Sequence, residues 1–177
     1  MRGMENERGF TLIESMLALV VLAILAAIAV PSFKQYTATS RVSAATNGLA
    51  SALARARSEA LLRGTPVSVC AAADVNMNQC GADWRQGWIV FIDTANPGTL
   101  DGVTDSVLQA WPPPGATISM NAVGSNYVLY DPRGMNGTVG GAVTFTIWDN
   151  SYCNGNHRSQ TQVTITGSPQ MTYIACP

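Results

Sequence analysis

"GFTLIESMLALVVLAILAAIAV", Gly9 to Val30, is the stretch that decides how the rest of the chain is organised. Treated as a helix, Phe10 to Val30 spans roughly 31 Å, close to the ~30 Å hydrocarbon core of a bilayer. Its one carboxylate, Glu14, stands at the start of the apolar run. Inside a membrane such a charge costs at least ~2.5 to 3.5 kcal/mol on insertion scales, so its presence calls for a partner. The alternative is a carboxylate solvated at headgroup level, close to the end of the apolar segment.

The small residue Gly9 precedes the apolar run, whereas a secretory signal carries its small-residue cleavage site after it. From Ala29 the chain reads "AVPSFKQY", with no A-x-A pattern. Cleavage after Gly9 therefore leaves the hydrophobic segment on the mature protein, as an anchor. With 177 residues the chain accommodates one domain with a real core. Outside the N-terminal segment it is rich in Gly, Ser, Thr and Asn with few charges, which describes a membrane-anchored globular head. A formal net charge of -1, with basic residues scattered apart from Arg55, Arg57 and Arg63, gives no general attraction to nucleic acid.

Four cysteines, Cys70, Cys80, Cys153 and Cys176, lie downstream of the apolar segment. C-x-x-C is absent and the single histidine, His157, is not spaced as a partner ligand, so disulfides are favoured over a metal site. Three connectivities are possible. Sequence-local pairing, Cys70 with Cys80 and Cys153 with Cys176, is preferred because each pair brackets a loop with few apolar residues. Each bridge contributes roughly 2 to 4 kcal/mol. Disulfides imply an oxidising, extracytoplasmic compartment.

After Pro31 the sequence stays helix-compatible as far as Gly64, where Thr65 and Pro66 follow as a stop. Leu49, Leu53, Ala56 and Ala60 form a stripe able to pack on a sheet, with Arg55, Arg57 and Glu59 read as its solvated side. Pro31 and Gly48 weaken the helix by ~3 and ~1 kcal/mol relative to alanine, which marks Pro31 as a bend. Beyond Gly64 the period changes to two. "VSVCA" (67–71), "GWIVFI" (87–92), "VLQAW" (107–111), "TISM" (117–120), "YVLY" (127–130), "AVTFTIW" (142–148), "QVTIT" (162–166) and "MTYIA" (171–175) predict short strands. Val143, Phe145 and Ile147 alternate with Thr144, Thr146 and Trp148, which predicts one buried face. The expected fold class is α+β: a long N-terminal helix, transmembrane in its first half, packed on an antiparallel β-sheet head.

"GFTLIE", the uninterrupted apolar segment and Pro31 together resemble the class III signal of type IV pilins and type II secretion pseudopilins. The resemblance implies that a prepilin peptidase cuts between Gly9 and Phe10 and N-methylates Phe10. It also implies that Glu14 pairs with the free amine of Phe10 on the same or a neighbouring subunit. The leader "MRGMENERG" departs from the pattern, since Glu5 and Glu7 offset Arg2 and Arg8 and its charge orients the anchor only weakly. The domains expected are a cleaved leader (1–9), a membrane and filament-core helix (10–30), an amphipathic continuation (31–64) and a β-rich head (65–177).

"ARSEALLRGTPVSVC" leading through "GWIVFID" to "YDPRGMNG" resembles the GspH/FimT group of minor pilins and pseudopilins. That group implies a low-abundance subunit that helps prime filament assembly at or near the tip. Its implied partners are major and minor pilin subunits, the prepilin peptidase and the inner membrane, with the head in the periplasm and later at the cell surface. Some members bind DNA through a C-terminal basic motif, but "TGSPQMTYIACP" has no Arg or Lys, so a DNA-receptor role is disfavoured. No cofactor is implied. His157, the single histidine, sits in the turn-like stretch "CNGNHRS", which holds no acid in sequence, and this disfavours catalysis. "DTANPGTLDGVTD" (93–105) gathers oxygen ligands without EF-hand spacing and reads as a solvated loop, and "DPRG" (131–134) reads as a turn. The disulfides lean modestly toward a pilus over a secretion machine.

Overall fold

The computed structural model describes residues 10–153, 155 and 157–176. The chain divides into two compact units, Met1–Tyr36 and Thr37–Pro177. One helix, α1 (Leu12–Arg63), runs through both. It continues unbroken past residues 31 and 48, and the side chain of Pro31 lies outside the described ones.

In the first unit the helix is apolar and bare. Its most apolar 18-residue window has a mean hydropathy of 2.7 and none of it is buried. Large side chains from Phe10 to Tyr36 are exposed throughout, including Leu17, Leu22 and Ile28. A surface of that composition is stable only when lipid or protein covers it.

In the second unit the helix buries one stripe. Val42, Ala45, Leu49, Ala52, Leu53, Ala56 and Ala60 are all at most 5 % exposed, at the spacing that returns a side chain to the same face. Their small size admits a close approach, and a Cβ on Gly48 would stand 3.3 Å from the Trp88 ring. The helix stops at Gly64, which takes a left-handed φ of 65° and donates its N–H to the Ala60 carbonyl at 2.9 Å.

The strands are β1 (Val67–Ala72), β2 (Cys80–Gly81), β3 (Trp88–Ile92), β4 (Ser106–Trp111), β5 (Ile118–Val123), β6 (Tyr127–Tyr130), β7 (Val143–Asp149), β8 (Arg158–Val163) and β9 (Pro169–Ile174). They form two antiparallel sheets where the sequence suggested one. The first has the order β2-β1-β3-β4, with β6 also on β1, and the second has the order β5-β7-β8-β9. A 3₁₀ turn, Trp84–Gln86, lies between β2 and β3.

Central strand β1 is buried at all six positions because both its faces are covered. Val67, Val69 and Ala71 join the main core with the helix stripe, Trp84, Trp88, Phe145 and Ile147. Cys70 and Ala72 join Ile89 and Phe91 in a second, smaller cluster, against which Met77, Cys80, Leu100 and Tyr127 pack. In the main core Trp84 and Phe145 meet edge to face, with centroids 4.7 Å apart. Gly87, at φ 97°, lets the chain pass under β4, since a Cβ there would stand 2.2 Å from the Trp111 carbonyl oxygen.

Two elements differ from the sequence expectation. The segment "QVTIT" (162–166) straddles the end of β8, and Thr164 to Ser168 form a turn closed by a 2.9 Å bond from the Gly167 N–H to the Thr164 carbonyl. The inward positions of β8 include Ser159 and Thr161, so an alternation sought in apolar residues does not find its start. The two-residue β2 carries no periodic signal and pairs with Ala71 and Ala72 beside the Cys70–Cys80 bridge.

The helix flank also differs. Glu59 does not lie on a solvated side: its side chain is 12 % exposed and is gripped by Arg55 at 3.0 Å and Arg63 at 2.6 Å. The Arg63 hydrogen bond, against an upward push from burial, and the Arg55 charge hold the Glu59 carboxyl below its usual range. Arg57 is half-buried and donates to the Ser168 hydroxyl at 3.0 Å, which ties the helix to the turn before β9.

Candidate functional site

Gly9 and the leader, residues 1–9, lie outside the described residues, so the described N-terminus begins at Phe10, which is 83 % exposed. Thr11 precedes the first helical residue, and its hydroxyl accepts the Glu14 N–H at 3.3 Å. The pattern Thr-x-x-Glu is that of a capping box, in which the first side chain satisfies the amide of the fourth residue. Thr11 was not singled out in the sequence, although this spacing could have found it. Glu14 is exposed in the first turn, where the positive end of the helix dipole favours an anion. The arrangement leaves the Glu14 carboxylate at the mouth of a bare apolar helix, four residues from Phe10. It has the means to neutralise a cation.

In the head, both bridges join sequence-local cysteines. Cys70 and Cys80 have Cα atoms 5.6 Å apart, and Cys153 and Cys176 have theirs 5.7 Å apart. The first staples the loop over the smaller core cluster. The second fastens the chain after β9 to the loop after β7, where the Cys176 N–H also donates to the Gly155 carbonyl at 2.9 Å.

That loop starts at Asp149, whose side chain is fully buried. Its carboxylate accepts from the Ser151 backbone N–H at 2.7 Å, from the Thr117 hydroxyl at 3.0 Å and from Arg41 at 3.4 Å. Burial pushes this carboxyl up, but the bonds from Ser151, Thr117 and Arg41 outweigh it and hold the pKa below its usual value. The stabilisation it supplies is therefore present above the unfolded value of about 3.9 and lost as pH falls through the depressed folded value. Urea titrations of the wild-type chain and Asp149→Ala in detergent should show midpoints well apart at pH 7 and converging as pH falls below 4.

The acidic loop 93–105 is not simply solvated. Asp93 is 3 % exposed, and a single oxygen, Oδ2, accepts both the Ser68 hydroxyl and the Gly98 N–H at 2.6 Å. Asp101 and Asp105 spend their oxygens on loop bonds, including Thr104 N–H to Asp101 at 2.7 Å and Thr94 N–H to Asp105 at 3.0 Å. No group of three potential metal ligands occurs among the described residues. Burial raises the Asp93 pKa against the bonds from Ser68 and Gly98. Its contribution favours folding below the unfolded value and is lost as pH rises through the raised folded one. Asp93→Asn keeps an acceptor for both bonds, so at pH 7 stability should hold or rise by up to ~1 kcal/mol, with EDTA changing neither protein's melting temperature.

"DPRG" is a turn. Asp131 accepts the Arg133 and Met135 amides, each at 2.9 Å, and Gly134 donates to the Asp131 carbonyl at 2.8 Å. Arg158 places its guanidinium carbon 5.1 Å from the Trp148 ring centroid, a cation–π contact.

The family model for Type II transport protein GspH matches residues 45–170, and that for the prokaryotic N-terminal methylation motif matches residues 4–30. A fimbrial protein of Pseudomonas aeruginosa is 42 % identical over 64 residues, covering 36 % of this chain and 41 % of that protein. The type IV major fimbrial protein FimA of Dichelobacter nodosus is 28 % identical over 99 residues, 56 % of this chain and 55 % of its own. The chain thus spans about half or less of the length of these relatives. Among solved structures, the type IV minor pilin FimU of Pseudomonas aeruginosa superposes with a TM-score of 0.55 at 21 % identity, covering 73 % of this chain and 86 % of that one. At that identity the likeness is one of fold.

Proposed function

Because the chain belongs to the GspH family and carries the N-terminal methylation motif, we propose that it is a minor pilin, anchored in the inner membrane and built into a type IV pilus near its tip. The observation that carries this reading is the junction of a bare apolar helix with an acid in its capped first turn. A prepilin peptidase cuts between Gly9 and Phe10 and methylates the new amine. Phe10 then presents a cation, and Glu14 of the same or a neighbouring subunit neutralises it. The Thr11 hydroxyl caps the Glu14 amide and so holds the first turn from which the carboxylate projects. Pairing in a low-dielectric filament core draws the subunit out of the bilayer and into axial register. Pro31, which removes one helical hydrogen bond, is where the helix bends during this step.

The head stands in the periplasm and later at the cell surface, where the two bridges stiffen it. DNA capture is disfavoured because residues 167–177 hold no cation. A second reading, a minor pseudopilin of a type II secretion system, is favoured by the description of the matching family. Cross-linked membranes should yield the full chain joined to minor subunits of the pilus. Recovery with secretion pseudopilins alone would select the second reading, and recovery with neither would reject both.

A further inference from the structure

Two edge strands bound the second sheet, β5 and β9, and they differ in cover. Ile118, Ser119 and Met120 of β5 are buried, and that strand packs against the 3₁₀ turn. Residues 170–173 of β9 are all exposed, and among the described residues no backbone group outside β8 bonds to them. An antiparallel ladder engages alternate residues, so the others on β9 turn their N–H and C=O groups away from β8. Proteins blunt such edges with charge, proline or a bulge. β4, at the edge of the first sheet, follows Asp101 and Asp105 and pairs with β3 through a register shift between Val90 and Phe91. β9 pairs with β8 without a shift and has its one proline at the first position. It lies in a stretch, Ser159 to Pro177, with no charged side chain.

The side-chain order across this margin is inverted. On the core-facing side the rows run Phe145, Thr161, Met171 and Ile147, Ser159, Tyr173. The hydroxyl residues in the middle are buried, whereas Met171 and Tyr173 at the margin are 45 % and 57 % exposed. A margin finished by solvent would carry the polar side chains outermost and the apolar ones within. β9 is also fastened at both ends. Arg57 donates to the Ser168 hydroxyl just before it, and the Cys153–Cys176 bridge ties the chain just after it.

Taking the chain as a filament subunit, we propose that the free edge of β9 is extended by a β-strand from the head of another subunit, uncharged and apolar on its core-facing side. The edge itself selects this occupant. A row of backbone donors and acceptors along an extended chain is matched by another extended chain, which supplies the complementary row. Charge complementarity makes the added strand neutral, since the hairpin from Ser159 onward offers no counter-charge. Apolar side chains on its core-facing side give Met171 and Tyr173 the cover that Thr161 and Ser159 do not. An edge already fastened at both ends loses little freedom on pairing. Pairing of β9 with β9 of a second copy is isologous and closes after two heads, whereas a subunit set among others in a filament meets unlike neighbours.

The test is photo-cross-linking in cells of the full chain carrying p-benzoylphenylalanine in place of the exposed Gln170, with the joined peptides identified by mass. The expected product joins β9 to a strand peptide from the head of another pilin or pseudopilin subunit. Met171→Lys and Tyr173→Lys each set a charge on the core-facing side of the edge. Either should remove that product and cut the chain's amount in sheared filaments by about tenfold. Membrane levels and the urea midpoint should stay unchanged, because both side chains are already exposed. Thr172→Lys, on the outward side, should keep incorporation within about twofold of wild type. A product on a helical peptide or on β9 of a second copy overturns the proposal, as does normal incorporation of both core-facing variants. Loss with Thr172→Lys alone also overturns it and assigns the contact to the outer face. Absence of the wild-type chain from both kinds of filament instead rejects the functional reading, and strand pairing with it.

Discussion

Glu14→Leu is expected to abolish incorporation into the filament while membrane insertion and cleavage after Gly9 proceed. The substitution makes the segment more apolar, so insertion should if anything improve. What it removes is the counter-charge for the Phe10 amine. Leaving one partner of a desolvated pair alone should weaken subunit association on the order of a hundredfold. Glu14→Gln keeps the side-chain shape and the polar group, and should fail nearly as badly. The measurement is the ratio of this subunit in sheared filaments to that in membranes, by quantitative blotting. Thr11→Ala separates the two roles of the first turn, since it removes the cap on the Glu14 amide and keeps the carboxylate. If the Glu14→Gln chain assembled normally, the first turn would need its polar contacts and not its charge.

Phe145→Ala should be the most damaging single change in the head. Phe145 is fully buried, and its ring meets Trp84 edge to face at 4.7 Å, joining the second sheet to the 3₁₀ turn that leads into the first. The loss expected for such a truncation is ~3 to 5 kcal/mol. Against a typical total of ~5 to 15 kcal/mol it leaves little in reserve. The check is the urea midpoint of the full chain in detergent, with near-ultraviolet dichroism reporting on the packed aromatic side chains. A cost below ~1 kcal/mol would mean that helix and sheets do not share one core.

Much of this architecture is legible in the sequence. The helix stripe of Leu49, Leu53, Ala56 and Ala60 and the alternation of Val143, Phe145 and Ile147 are single-period signals of one buried face, and the structure buries every one of these residues. The division into two sheets was not legible, because periodicity reports which residues face inward and not which strands pair. Strand β8 was misplaced because its inward positions carry Ser159 and Thr161, hydroxyls that a search for apolar alternation passes over. Charges misled in one direction. Glu59 and Asp93 look like surface residues in a linear chain, yet each is buried against partners four or more positions away, Arg63 for one and Ser68 for the other. At the N-terminus Glu14 was legible from its isolation in an apolar run, whereas its support by Thr11, which the Thr-x-x-Glu spacing also signals, was passed over until the hydrogen bond between them was seen.

The most direct measurement is the intact mass of the chain recovered from membranes and filaments under non-reducing conditions. Cleavage and methylation predict a species that begins at Phe10, carries one added methyl group on its terminal nitrogen and keeps its apolar segment. A chain that retains residues 1–9 in the filament, or one that has lost residues 10–30, would contradict it.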